Sequence, residues 1–256
     1  DMKSICMKIV LATLVIAGLA VTTQAETILL DFGNDTSWRG ASVPNPDPNG
    51  NYWNSLVPGW YYTDLVDADN NGSGINFGFS TPVATDSYNG PAGDTAAHPA
   101  TIPNTDIDAV ALGNLGVIEA AYDYAAGDGG AVRFEIQALD PTKLYNLTFY
   151  GSHKFNSDDT TLYSVYTDNT YATLVDSASL QVHQPGSPWL HNRDTVATIS
   201  NLAPQTSDIL YVEFVGSLGG NGYLNSMQIE VVPEPATFGL LGIAGAGLFA
   251  MRRLRR

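Results

Sequence analysis

Aromatic rings and carboxylates in turn-rich stretches are the residues of this chain whose types and spacing could do chemistry. Trp53, Trp60, Tyr61, Tyr62 and Trp189 lie in or near segments rich in Pro, Asn and Gly. A sugar ring packs its apolar C–H face on an aromatic plane while Asn and Asp side chains bond its hydroxyls. These five rings are therefore candidate contacts for a glycan such as an extracellular polysaccharide. The alternative for the same rings is structural, because large aromatics often plug the ends of a β core. Asp67-Ala68-Asp69-Asn70-Asn71-Gly72 fits D-x-[DN]-x-[DN]-G, and Asp67, Asp69 and Asn71 could turn three oxygens toward a calcium ion. The twelfth position is Gly78 rather than Glu, and a strand pattern follows, so the loop is not an EF-hand. A solvated Asn-Gly turn is its alternative. His183 and His191 flank Pro185-Gly186-Ser187-Pro188 and could face one cleft, or could be ordinary surface. The chain has no H-E-x-x-H, G-x-S-x-G or Walker A pattern. Its 26 Asp and Glu residues are numerous enough for a pair at glycosidase spacing to arise by chance, so no catalytic residue is assigned.

Alternating segments must position these groups. Ile28, Leu30 and Phe32 share one face of a strand, as do Ile75, Phe77 and Phe79. Val132, Phe134 and Ile136 alternate with Arg133, Glu135 and Gln137, the clearest half-buried strand in the sequence. Tyr145, Leu147 and Phe149 follow a turn at Asp140-Pro141-Thr142-Lys143. Further strands are expected at Leu162–Thr167, Tyr171–Val175, Thr195–Leu202, Ile209–Val215 and Tyr223–Val231, nearly all separated by turn residues. Helical periodicity appears only around Val117–Ala125. The pattern predicts an all-β, antiparallel sandwich of jelly-roll type, with loops at Arg39–Tyr62 and Thr81–Asn104 available for binding.

Charge narrows the partners. Residues 26–231 hold five basic residues against 24 acidic ones, a net charge of −19. Such a surface repels nucleic acid and anionic membranes and suits divalent cations, neutral glycans or plain solubility. The one cysteine, Cys6, precedes this region, so residues 26–231 contain no disulfide, thiol nucleophile or Cys-ligated metal.

The ends read as addresses. Lys3 and Lys8, the apolar run Ile9–Ala20 and Thr23-Gln24-Ala25 make residues 1–25 a signal peptide, with an uncleaved anchor as the alternative. Residues 232–256 hold Pro233-Glu234-Pro235, an apolar run over 236–251 and Arg252, Arg253, Arg255 and Arg256. A helix of that run rises roughly 24 Å at 1.5 Å per residue, short of the roughly 30 Å bilayer core. The arginines would keep the tail inside and the preceding domain outside. This combination resembles the PEP-CTERM sorting signal. The resemblance implies an exosortase-type partner that recognises the Pro-Glu-Pro motif, initial anchoring in the inner membrane through 236–251, and delivery to the cell surface, outer membrane or extracellular matrix of a bacterium.

A second resemblance is carried by Leu30-Asp31-Phe32-Gly33, Tyr52-Trp53-Asn54, Leu65-Val66-Asp67, Leu139-Asp140-Pro141, Tyr145-Asn146-Leu147, Gly151-Ser152 and Gly222-Tyr223-Leu224-Asn225-Ser226. These fragments are similar to galactose-binding-like and malectin-like sandwich domains, which implies a fold more than a ligand. The expectation is a non-catalytic, exported sandwich (residues 26–231) that binds glycan. The alternatives are a secreted carbohydrate-active enzyme using Asp or Glu, and a structural matrix protein stabilised by calcium.

Overall fold

The computed structural model describes residues 25–33, 41–57, 59–84, 89–90, 104–127, 129–154, 160–183, 189–217 and 220–232. The signal segment before Ala25, the Pro233-Glu234-Pro235 motif, the 236–251 run and the terminal arginines lie outside the described residues. In chain order the strands are β1 (Thr27–Asp31), β2 (Trp53–Ser55), β3 (Tyr61–Tyr62), β4 (Asn76–Phe79), β5 (Ala125–Ala126), β6 (Val132–Gln137) and β7 (Leu144–Tyr150). They continue as β8 (Thr160–Tyr166), β9 (Leu174–Gln181), β10 (Ala197–Leu202), β11 (Leu210–Gly216), β12 (Tyr223–Leu224) and β13 (Ser226–Val232). One sheet runs β10-β7-β13-β1-β2 and the other β3-β4-β6-β11-β8-β9, with β12-β5 as a short bridge. The pairings within the two sheets are antiparallel except β1 with β2, which is parallel.

The alternation read from the sequence sets the layers. Ile28 and Leu30 of β1, Leu147 and Phe149 of β7, and Met227 and Ile229 of β13 point inward from the first sheet. Phe77, Phe134, Tyr163, Val212 and Phe214 meet them from the second. Phe149 and Tyr163 stack across the interface at 4.4 Å, and Phe77 stacks on Phe134 at 5.0 Å. Each such pair adds about 0.5–1.5 kcal/mol beyond the area it buries.

The outer face of the first sheet is roofed. Leu29, Trp53 and Tyr150 point away from the main core into a second apolar cluster with Val43, Leu112, Leu115, Val117, Ala120 and Ala121. The roof contains one short helix, α1 (Ala109–Leu112), capped by Asp108, whose carboxylate accepts from Val110 N and Ala111 N at 3.1 Å. The helix expected at Val117–Ala125 is reduced to a 3-10 turn at Glu119–Ala121, preceded by a second at Gly113–Leu115. Gly113, with φ 61°, ends α1, so that helix does not run on into Val117–Ala125. Other differences lie at the edges. The strand expected at Tyr171–Val175 begins at Leu174, because Tyr171 takes φ 54° inside the β8–β9 turn. The short strands β2 and β3 carry too few residues to display a period.

A buried polar seam closes one end of the sandwich. Asn225 accepts from Ser152 N at 2.6 Å and donates to Ala121 O and Asp123 O at 3.2 and 2.7 Å. Lys154 is fully buried, and its Nζ donates to Gly90 O (2.7 Å) and Thr105 Oγ1 (2.9 Å). Burial pushes its ammonium down to about 8. The ring of His153 stacks on Tyr223 at 4.0 Å. His183 and His191 form a backbone bridge here and are both buried, so they do not line the open cleft that their spacing allowed. The His191 ring Nε2 lies 2.9 Å from Asp106 O, and burial lowers its pKa.

Candidate functional site

The solvent face of the second sheet is built from the polar half of the alternating strands. Directly opposed residues share a face, and the register aligns Tyr61 with Gly78, Gly78 with Glu135, Glu135 with Tyr211, and Tyr211 with Tyr166. One row therefore crosses five strands, spanning roughly 19 Å at about 4.8 Å per strand. It carries three tyrosine rings and one carboxylate, on a face that a solvated antiparallel sheet usually fills with polar groups.

At one end the Tyr61 ring lies across β4. A Cβ on Gly78 would stand 2.8 Å from Tyr61 Cδ2, so the ring rests where a side chain is missing. The Tyr61 hydroxyl donates to Gln137 Oε1 at 2.8 Å, and Gln137 Nε2 donates to Glu135 Oε2 at 2.6 Å. One carboxamide thus fixes both the ring and the carboxylate. Tyr61 is nevertheless 53% exposed and the neighbouring Trp60 67% exposed.

The other end is a packed cluster. Tyr171 folds back from the β8–β9 turn onto Tyr166 and Tyr211, with ring centroids 5.4 and 6.3 Å away. The Arg133 guanidinium sits 4.3 Å over the Tyr171 ring and bonds Glu213 Oε2 at 2.7 Å. The Tyr166 hydroxyl donates to Glu213 Oε1 at 3.2 Å. Burial raises the Tyr171 hydroxyl pKa, and Glu135 adds to that rise across the row.

Not all the aromatics expected in a glycan site reach this face. Trp53 is 2% exposed, its ring faces lie in the roof, and its indole N–H donates to Asp47 Oδ2 at 3.0 Å. It offers no plane to a ligand, because the roof absorbs it. Tyr62 is half-buried against the main core, with its hydroxyl 2.6 Å from Val57 N. Trp189 is partly exposed, with φ 68°, in a turn that belongs to none of the strands of this sheet. Sequence reading did not assign Gly78, Glu135, Gln137, Tyr166, Tyr171 or Tyr211 to a site. The signal for two of them, Glu135 and Gln137, was present in the polar members of the Val132–Gln137 alternation, which point outward together.

The Asp67 loop is held by its own first residue. Asp67 Oδ1 accepts from Asp69 N and Asn71 N at 3.0 and 2.7 Å, and Asn71 Nδ2 reaches Oδ2 at 3.1 Å. Asp47 organises residues 47–51 in the same way, accepting from Asn49 N and Asn51 N at 2.8 and 2.9 Å. The fourth residue of each loop, Gly50 and Asn70, takes positive φ. Both are Asp-headed turns in which the carboxylate replaces missing backbone partners. Among the described residues, no three His, Cys, Asp or Glu side chains converge to hold a metal ion. A groove of about 760 Å³ lies on the roof between Pro48–Asn51 and Ile107–Glu119, lined mainly by aliphatic and small residues.

Comparison with known proteins assigns the end of the chain. Residues 231–256 match the PEP-CTERM protein-sorting motif. No curated protein matches the chain. The chain thus carries a PEP-CTERM tail, the mark of an exported, membrane-transiting protein of Gram-negative bacteria that exosortase processes.

Proposed function

We propose that the sandwich is a non-catalytic glycan-binding module, exported and retained at the cell surface or in the extracellular matrix. The observation that carries this reading is the Tyr61 ring, seated against Gly78, anchored by Gln137 and 53% exposed. An immobilised ring loses little freedom on binding, and a sugar C–H face packs on it while Glu135 and Gln137 meet the hydroxyls. Binding rather than turnover is favoured because glycoside hydrolysis needs two working carboxyl groups. Glu135 is the one carboxylate of the row, and Glu213 on the same face is tied to Arg133 and Tyr166. The membrane segment 236–251 and the 1–25 signal segment serve delivery in this reading.

The test is retention of the protein on a panel of insoluble and soluble polysaccharides. Tyr61→Ala and Trp60→Ala should each weaken retention at least five-fold, while Trp189→Ala, outside the strands that build the row, should leave it unchanged. Wild-type protein that no polysaccharide retains would end the proposal.

A further inference from the structure

Resting on the glycan-binding reading, we infer that Glu135 sets the charge class of the ligand: the row takes an uncharged, hydroxyl-rich polysaccharide and turns acidic ones away. The charges on the face are unequally committed. Arg133, its cation, is bonded to Glu213 at 2.7 Å and covers the Tyr171 ring. Its charge is matched within the face by Glu213. Glu135 has no ion-pair partner among the described residues; one carboxylate oxygen accepts the Gln137 amide at 2.6 Å. The register sets Glu135 across Gly78 from Tyr61, so its carboxylate is an acceptor in the same row as the open ring.

A carboxylate in that position rewards a ligand that brings donors. Sugar hydroxyls supply them, whereas a uronate or sulfate group brings a like charge next to Glu135. Of the other charged groups near the row, Asp64 follows β3, and its carboxylate accepts Gly74 N at 2.9 Å. Glu213 lies on β11 and is paired. Neither supplies a positive charge that would welcome an anion. Gln137 is the positioning residue here, since its amide holds the ring with its oxygen and the carboxylate with its nitrogen.

The experiment is affinity electrophoresis of the full-length chain, as wild type and Glu135→Gln, through gels containing one polysaccharide each. The neutral set is galactan, xylan and a β-glucan; the acidic set is alginate and polygalacturonate. At about 0.15 M salt the Debye length is about 8 Å, which confines the electrostatic effect to groups beside the ligand. Wild type should be retarded by at least one neutral polymer and by neither acidic one. Glu135→Gln keeps the shape and removes the charge. It should gain retardation by an acidic polymer at least three-fold above wild type, with an unchanged melting temperature. Equal retardation of wild type by acidic and neutral polymers, or unaltered discrimination in Glu135→Gln, would overturn the inference while leaving glycan binding intact. Retardation by none of them would remove the glycan reading, and the inference with it.

Discussion

The two outer faces of this sandwich use large aromatics in opposite ways. On the first sheet, Trp53 and Tyr150 are covered by Val43, Leu112, Leu115 and Val117, and every polar atom they carry is satisfied inside: the indole by Asp47, the phenol by Asn192 O at 3.0 Å. On the second sheet, Tyr61 has its hydroxyl satisfied but its ring half open. A roofed aromatic contributes by leaving water, whereas an open one held in place keeps that gain for a ligand. Stability should therefore reside on the first face and recognition on the second.

Trp53→Ala should break the roof and cost about 3–5 kcal/mol, the range for deleting a buried aromatic. A urea midpoint that falls with an unchanged m-value would check it. If that variant lost little stability, the roof would not be the structural face. Asn225→Ala ranks next. It takes the Asn225 bonds from Ser152 N and the Asp123 carbonyl inside the seam, while Ala121 O keeps the Asn89 amide at 3.1 Å, and it should cost about 1–3 kcal/mol.

Asp47 gives the roof a pH signature. Burial alone would raise its pKa, but hydrogen bonds from the Trp53 indole, the backbone N–H groups of Asn51 and Asn49 and the Asn51 amide outweigh burial and hold it below the ordinary value. The folded state therefore binds the proton less readily than the unfolded one. The resulting stabilisation is complete above the ordinary carboxylate pKa of about 4 and is lost as pH falls through the lower, folded value. In melting curves between pH 7 and 2, Asp47→Asn should lie below wild type at neutral pH and converge with it in acid. Parallel curves would show that Asp47 is not coupled to the roof. The smallest effect belongs to Asp67→Ala. It removes the same loop geometry at an exposed position and should cost about 1 kcal/mol, as for loss of one helix N-cap side chain. Added calcium should not alter this difference if Asp67 serves only its own turn.

The layers of the fold were legible in the sequence because burial on one side of a strand imposes period two. Val132–Gln137 and Leu144–Tyr150 display that period over six and seven residues. β2 and β3 did not, since three and two residues cannot show a period, and they are identified by the strands they pair with. The site was legible only in part. Trp60 and Tyr61 are exposed as their turn-rich surroundings imply, but Trp53 sits in an equally turn-rich stretch and is buried. Local sequence gives no sign of the roof, whose covering residues other than Val43 come from more than 50 positions away. The row from Tyr61 to Tyr166 depends on register across five strands, a long-range property that no single segment contains.

The most direct test of the division between the faces is to measure glycan retention and thermal stability together on Tyr61→Ala. The account predicts at least a five-fold loss of retention with a melting temperature within about 3 °C of wild type, since a substitution on the open face costs under about 1 kcal/mol. Full retention, or a loss of retention that appears only alongside a large fall in melting temperature, would contradict it.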